Sequence, residues 1–81
     1  MRLVLSERFR RSYDDAPPEV RRAIERRLAL LAENLRYPSL RAKKYDESRG
    51  IWQARVNRDW RFYFQIENDA YHLIDVIPHP K

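Results

Sequence analysis

The chain has 81 residues with no cysteine and two histidines, and its 17 lysines and arginines exceed its 12 aspartates and glutamates, which gives a formal net charge of +5. This length predicts one domain over residues 1–81, and the lack of cysteine excludes disulfides and thiolate metal sites, so we expect no metal and no other cofactor. A mean hydropathy of −0.84 and the lack of a long apolar run exclude a membrane span and a secretory signal, and they predict a cytoplasmic protein.

The N-terminal segment predicts a short strand followed by a helix. Residues 2–5 are mostly apolar, as in a strand. Ser6 and the acidic residue after it then have the pattern of a helix N-cap and an acidic first turn. This helix would run to about Asp14 and bury Phe9 and Tyr13, which lie four residues apart on one helical face.

A second, longer helix is predicted from Glu19 to about Leu35. Pro18 suits its first turn, because proline lacks the backbone N–H that is unpaired there in any helix. One stripe of this helix is apolar, and it comprises Val20, Ile24, Leu28, Leu31 and Leu35. The opposite face mixes arginines with glutamates, and we interpret it as solvated surface.

The second half of the chain predicts three strands after a basic, irregular stretch at residues 40–47. Apolar and polar residues alternate in residues 51–56 and 60–66, which is typical of strands with one buried face. Residues 71–77 are apolar on both faces, so we expect this last strand inside the sheet. A turn at residues 68–69 precedes it. Turns of two and of three residues place opposite sets of its side chains in the core, and the sequence leaves both open.

The excess positive charge is concentrated in one quarter of the chain. Between residues 41 and 61, seven basic residues outnumber three acidic ones, so this segment carries +4 of the total charge. The basic residues are Arg41, Lys43, Lys44, Arg49, Arg55, Arg58 and Arg61. A basic patch on a small domain favours a polyanionic partner, nucleic acid first and an acidic protein segment second, although a solubilising surface has the same composition.

The two alternating strands also predict which residues face each other across their hairpin. Ala54 and Phe62 can share the buried face only if the loop between the strands has an odd number of residues. Residues 57–59 provide a three-residue loop in which Asn or Asp can take the left-handed backbone conformation. This register places Arg55 directly opposite Arg61 on the other face of the sheet.

The facing arginines need an explanation, because like charges directly opposite each other destabilise a sheet. One interpretation is that they bind a phosphate by bidentate hydrogen bonds and offset the charge of a pentavalent transition state. The other is that each arginine is neutralised by a carboxylate such as Asp75. We favour the phosphate, since the neighbours on this face, Gln53, Tyr63 and Gln65, make it polar, aromatic and cationic.

Together these elements predict an α+β fold. A short N-terminal strand precedes two helices, and the helices pack on the apolar face of a small, mainly antiparallel sheet. The opposite face of that sheet is expected to be open and basic.

Four motifs follow one another along the chain. Residues 37–45 read YPSLRAKKY, residues 50–56 read GIWQARV, residues 57–62 read NRDWRF, and residues 77–79 read IPH. In their order and spacing, and in the order of the predicted elements, they resemble the RelE/ParE superfamily of bacterial toxin–antitoxin toxins. The resemblance covers essentially the whole chain and implies the RelE-like fold.

The RelE branch, as the resemblance implies, cleaves mRNA in the ribosomal A site without a metal. The ribose 2′-hydroxyl attacks the adjacent phosphate, which yields a 2′,3′-cyclic phosphate and a free 5′-hydroxyl. By their match to the family, Arg61 would stabilise the transition state with support from Arg55, and His79 would transfer a proton. His79 is otherwise an exposed residue near the end of the chain, and His72 is interpreted as structural.

The resemblance also implies residues that bind RNA. Lys43 and Lys44 match the family's basic pair before the sheet, which holds the RNA backbone. The further RNA-binding candidates are Arg41, Arg58, Tyr63 and Lys81. Many family members continue past the histidine to a catalytic tyrosine or basic residue. Here only Pro80 and Lys81 follow, so either Lys81 substitutes for that residue or the activity is weak.

The implied partners are a cognate antitoxin protein, the ribosome and its mRNA, and operator DNA reached through the antitoxin, with no membrane. One alternative is a ParE-like toxin that inhibits DNA gyrase without cutting nucleic acid. Another is a degenerate member that binds only its antitoxin. The lysine pair, the arginine pair and His79 together favour RNA cleavage, because a gyrase inhibitor needs no acid–base residue.

Overall fold

A computed structural model of the chain, which describes residues 1–79, shows two helices packed on a mixed five-stranded sheet. The elements are β1 Arg2–Leu5, α1 Glu7–Asp15, α2 Pro18–Glu33, a 3₁₀ helix Pro38–Leu40, β2 Lys43–Asp46, β3 Ile51–Arg55, β4 Trp60–Glu67 and β5 Ala70–Pro78. The strand order is β1-β5-β4-β3-β2, in which β1 runs parallel to β5 and the other pairs are antiparallel. The predicted α+β class is confirmed. Within residues 1–79, neither α-helix is long and apolar enough to cross a membrane.

Helix α1 begins where the sequence predicts. The Ser6 Oγ accepts a hydrogen bond from the Phe9 N–H at 3.0 Å and donates one to the Ile74 carbonyl at 2.8 Å. The cap therefore satisfies a free backbone donor of the helix and also ties its first turn to β5. Phe9 is buried as predicted, whereas Tyr13 packs partly buried against the core.

Helix α2 runs from Pro18 to Glu33, so Pro18 lies in its first turn as predicted, but the helix ends before the predicted Leu35. The chain turns extended at Asn34, whose side-chain oxygen accepts the Arg36 N–H at 2.9 Å. This local bond gives the backbone an alternative to the next helical turn. The helix therefore ends before Leu35, the last residue of the apolar stripe. Leu35 still packs against the core from outside the helix.

The core lies between the helices and the apolar face of the sheet. Its largest fully buried side chains are Phe9, Ile24, Leu31, Leu40, Val56, Phe62, Phe64, Leu73 and Val76. The ring of Phe64 lies 6.1 Å from that of Trp52, 5.8 Å from that of Phe62 and 5.6 Å from that of Tyr71, measured between centroids. The aromatic residues of β3, β4 and β5 therefore form one cluster centred on Phe64.

The hairpin between β3 and β4 has the predicted register. Ala54 pairs with Phe62, and Arg55 pairs with Arg61. The expected left-handed residue in the loop is wrong, since none of residues 57–59 has a positive φ. Instead, the Asn57 side-chain oxygen accepts the N–H groups of Asp59 and Trp60, each at 2.9 Å. This Asx turn closes the loop without a left-handed residue.

The turn between β4 and β5 has two residues, Asn68 and Asp69, with φ angles of 52° and 58°. Two successive left-handed residues are typical of the hairpin turn whose twist matches that of the strands. A β-bulge at Ile74 then shifts the pairing, so that Phe64 faces Leu73 while Tyr63 faces Asp75.

The bulge settles which side chains of β5 face the core. Tyr71 and Leu73 before the bulge and Val76 after it are all buried. One residue of shift exchanges the two faces of a strand, so the odd-numbered set gives way to the even-numbered set at Ile74. The prediction that β5 lies inside the sheet is confirmed, since it pairs with β1 on one side and β4 on the other.

Candidate functional site

A pocket of about 360 Å³ lies beside the loop that joins β3 to β4, on the sheet face opposite the helices. It is lined by Arg41, Lys43, Gln53, Ala54, Arg55, Arg61 and His79. We call it the cationic pocket. Four of these residues are lysine or arginine, and none of the lining residues within 1–79 carries a carboxylate.

Different elements bring these residues together. Lys43 on the edge strand β2 pairs with Gln53, so it projects from the same sheet face as Gln53 and Arg55. Arg41 has a φ of 47°, a left-handed conformation that turns the chain from the 3₁₀ helix towards β2. The His79 N–H donates to the Asp59 carbonyl at 2.6 Å, which holds the end of the described chain against the β3–β4 loop.

The two facing arginines converge on one backbone carbonyl. Arg55 Nε donates to the Asn57 carbonyl at 3.2 Å, and Arg61 Nη1 donates to the same oxygen at 2.8 Å. Arg61 Nη1 also lies 3.0 Å from the Trp60 carbonyl and 3.3 Å from the Arg58 carbonyl. These bonds use one nitrogen of each guanidinium. The loop carbonyls therefore hold the two like charges in place, while each guanidinium has further N–H donors that these bonds do not use.

The alternative in which a carboxylate neutralises each arginine is wrong for the described residues. Among residues 1–79, the ion pairs within 4.0 Å involve neither Arg55 nor Arg61. Asp75 instead accepts the Ser12 hydroxyl at 2.6 Å and the Val76 N–H at 2.8 Å. Within residues 1–79, the hydrogen-bond partners of the two guanidinium groups are backbone carbonyls and not carboxylates.

The electrostatics of the site follow from this crowding. Partial burial, and then the charges of Arg41 and Arg61, lower the pKa of the Arg55 guanidinium below its usual value. Arginine remains protonated at neutral pH even so. The coulombic part of this shift reflects the positive charge that Arg41 and Arg61 place beside Arg55.

The loop that carries these contacts is anchored to helix α2. Arg27 Nε donates to the Val56 carbonyl at 3.0 Å, one residue before Asn57. Asn57 then contributes its side-chain oxygen to the turn and its carbonyl to both arginines. The sequence analysis assigned Asn57 only a role in the turn. Its second role, as the residue whose carbonyl holds both arginines, could have been inferred from its position between them in the sequence.

The other predicted site residues are distributed around the pocket. Tyr63 lies next to it on the same face, where its hydroxyl accepts the Gln53 Nε2 at 3.0 Å. Arg58 is exposed in the β3–β4 loop. Lys81 lies outside the described residues. The candidates that the structure brings together around the pocket are thus Arg41, Lys43, Arg55, Arg61 and His79.

Lys44 is separated from Lys43 because adjacent residues of a strand project from opposite faces. Its Nζ lies 5.3 Å from the ring centroid of Trp52 and 3.7 Å from the Glu47 carboxylate. The two lysines therefore do not act on the cationic pocket as a pair. The interpretation of His72 as structural agrees with its position in β5, where its Nε2 lies 3.2 Å from the Glu67 carbonyl.

Acidic residues near the basic segment have a structural role. Asp46 accepts Arg49 Nε at 2.7 Å, the Ser48 hydroxyl at 2.8 Å and the Arg49 N–H at 3.2 Å. These bonds, led by that of the Arg49 side chain, lower the pKa of Asp46 from 3.8 to about 2. Among residues 1–79, no group of three or more histidines and carboxylates is placed to hold a metal ion.

Asp46→Asn is expected to lower the melting temperature at pH 7, because the amide loses the ion pair that holds the β2–β3 loop. A depressed folded-state pKa adds stability above pH 3.8, and that stability is lost as the pH falls towards 2. The melting temperatures of the wild type and of Asp46→Asn should therefore differ by a constant amount above about pH 5 and approach each other at lower pH. Thermal unfolding between pH 2.5 and 7 measures this difference. Asp69→Asn, the same change in the β4–β5 turn, is the control. A difference independent of pH would contradict the prediction.

Comparison with known proteins supports the fold. No family model and no curated protein matches the sequence. Among solved structures, YafQ from E. coli matches with a TM-score of 0.80 and 18% identity over 98% of this chain and 94% of that chain. A YoeB/ParE toxin from Agrobacterium tumefaciens matches with a TM-score of 0.79 and 14% identity over 99% of this chain and 100% of that chain.

Two further matches come from complexes. One is the intact RelBE toxin–antitoxin complex of E. coli, with a TM-score of 0.74 and 14% identity over 99% of this chain and 98% of that chain. The other is the YoeB–YefM complex of Staphylococcus aureus, with a TM-score of 0.77 and 13% identity over the same shares. The chain therefore shares the fold of these toxins, and the predicted RelE-like fold is confirmed.

Proposed function

We propose that this chain is the single-domain toxin of a type II toxin–antitoxin module and that it acts as a ribosome-dependent endoribonuclease. The observation that carries the proposal is the cationic pocket, where Arg55 and Arg61 are held side by side without a carboxylate partner among residues 1–79 and His79 lines the same pocket. The fold shared with YafQ, YoeB and RelBE toxins supports it.

The pocket offers cations and an acid for phosphodiester cleavage by an internal nucleophile. The 2′-hydroxyl loses its proton to solvent water as its oxygen bonds to phosphorus, and the bond from phosphorus to the 5′-oxygen breaks. The negative charge on the non-bridging oxygens rises in the pentavalent transition state between these events. Guanidinium N–H donors of Arg55 and Arg61 would stabilise that charge, since their geometry is fixed before the reaction by the Asn57 carbonyl. The imidazole of His79 would protonate the leaving 5′-oxygen. These roles need no metal ion.

The remaining cations fit the RNA on either side of the cleaved bond. Arg41 and Lys43 line the same pocket and would hold adjacent phosphates. Lys44 and Arg58 would contribute more distant contacts, and Lys81 is proposed as a further RNA-binding residue. The natural substrate is then mRNA exposed in the ribosomal A site, where it is single-stranded and its phosphates are accessible.

A cognate antitoxin is the second proposed partner. The RelBE and YoeB–YefM structures contain an antitoxin with the toxin, which supports the same arrangement for this chain. Through that antitoxin the complex would reach operator DNA. The proposed site of action is the cytoplasm.

Inducible expression of the chain in a bacterial host tests the function. We expect growth arrest with loss of translation, and primer extension should show new mRNA ends within codons that disappear when the antitoxin is co-expressed. Intact mRNA with accumulating gyrase–DNA breaks would support the ParE-like alternative. Unimpaired growth, with binding to the antitoxin alone, would support the degenerate alternative.

A further inference from the structure

A second, apolar concavity of about 220 Å³ adjoins the cationic pocket on the same sheet face. It is lined by Tyr45, Ile51, Tyr63, Ile74, Asp75 and Ile77, and we call it the aromatic shelf. The proposed chemistry of the cationic pocket uses none of these residues.

The rings of the aromatic shelf are held in a fixed arrangement. The centroids of Tyr45 and Tyr63 lie 5.0 Å apart with the planes at 68°, an edge-to-face pair. Tyr45 nevertheless remains 61% exposed. A large aromatic side chain that is both exposed and pre-positioned presents a face to an incoming ligand.

One buried amide connects the shelf to the cationic pocket. The Gln53 side chain lines the pocket, is only 8% exposed, and donates to the Tyr63 hydroxyl at 3.0 Å. On β2, Lys43 pairs with Gln53, and Tyr45, which lies at a β-bulge of the same strand, contacts the ring of Tyr63. The strand therefore carries a cation of the pocket and a ring of the shelf. The two concavities therefore form one continuous surface that is cationic at one end and aromatic at the other.

This combination matches unpaired RNA. Single-stranded nucleic acid is bound by cations that contact the phosphates and by aromatic side chains on which the splayed bases stack. We propose that the aromatic shelf receives the nucleobase of a nucleotide next to the phosphate in the cationic pocket, with Tyr45 as its stacking partner. The inference rests on the proposed function and adds to it a base-binding subsite.

The first test is single-turnover mRNA cleavage on programmed ribosomes as a function of the concentration of the chain. Tyr45→Ala and Tyr45→Leu are expected to raise the half-saturating concentration about 5- to 100-fold, the range that loss of base–aromatic stacking produces. Tyr45→Phe keeps the ring and should match the wild type. Because Tyr45 is exposed, thermal unfolding should show that all three variants remain folded.

The second test removes the base instead of the ring. An abasic nucleotide is placed in turn at each of the two positions that flank the cleaved phosphate. At one of the two positions, the wild-type chain and Tyr45→Ala are expected to have the same half-saturating concentration, because the abasic nucleotide has no base to stack on Tyr45. With intact mRNA they should differ.

The outcomes separate this inference from the proposed function. If the wild-type chain cleaves mRNA and Tyr45→Ala half-saturates at the same concentration, the aromatic shelf binds no base and the proposed function stands. An equal loss for Tyr45→Ala on intact and on both abasic mRNAs would also overturn the inference, as would a Tyr45→Ala defect confined to antitoxin binding. If the wild-type chain cuts no mRNA, both the proposed function and the inference are overturned.

Discussion

Arg61→Ala is expected to slow single-turnover mRNA cleavage on programmed ribosomes by about 10²–10³-fold, the usual effect of removing one preorganised hydrogen-bond donor from a transition state. The guanidinium of Arg61 is fixed by the Asn57, Trp60 and Arg58 carbonyls, so its remaining donors have no reorganisation to make as charge develops on the phosphate. Arg61→Lys keeps the charge but loses the planar donor set, and it should recover only part of the rate.

The fold should survive this substitution. Alanine removes the hydrogen bonds from Arg61 to the loop, but it also relieves repulsion with Arg55 directly opposite. We expect the free energy of unfolding to change by less than about 1 kcal/mol. Arg22→Ala, which removes an exposed arginine from helix α2, is the matched control and should leave the cleavage rate unchanged. A destabilised but fully active Arg61→Ala chain would show that this arginine has a structural role only.

Phe64→Ala is expected to have the largest effect on stability, a loss of about 3–5 kcal/mol in the free energy of unfolding. Phe64 is fully buried, and its ring contacts those of Trp52, Phe62 and Tyr71. Alanine would leave a cavity at the centre of this cluster that rigid strands cannot fill. A domain of this size has a total stability of about 5–15 kcal/mol, so the variant would be close to unfolded.

Urea denaturation of Phe64→Ala beside Ile66→Ala measures this effect. Ile66 lies two residues further along β4, projects from the same face and is 40% exposed. Its truncation should therefore cost no more than about 0.5 kcal/mol. Equal losses for the two variants would contradict the packing described for this sheet.

Several parts of the fold were predictable because they depend on residues that are close in sequence. The N-cap at Ser6 and the place of Pro18 in the first turn of α2 are local backbone effects, and both are confirmed. The pairing of Arg55 with Arg61 follows from alternation and from loop parity, which concern only eleven residues from Trp52 to Phe62. The candidate site was predictable to the extent that it lies on this hairpin.

Other parts of the site depend on how a strand is oriented. Sequence reasoning treated Lys43 and Lys44 as one basic pair, because both charges occur side by side. Only the position of β2 at the sheet edge assigns Lys43 to the cationic pocket and Lys44 to the ring of Trp52. The closure of the β3–β4 loop by the Asn57 side chain was missed for a similar reason, since Asn supports a left-handed turn and an Asx turn equally well.

The sequence by itself thus determined the two helices, the strands β1, β3, β4 and β5, the α+β class and the buried face of the β3–β4 hairpin, whereas the 3₁₀ helix and strand β2 lie where it predicted an irregular stretch. Only the tertiary structure decided the parallel pairing of β1 with β5, the bulge at Ile74 and the placement of His79 beside the β3–β4 loop. Periodicity and capping act over a few residues, so they are visible in sequence. The parallel pairing of β1 with β5 brings together groups that are 68 residues apart in sequence, the same separation as in the bond from Ser6 Oγ to the Ile74 carbonyl. Such contacts form only because the whole core packs at once, and no local pattern encodes them.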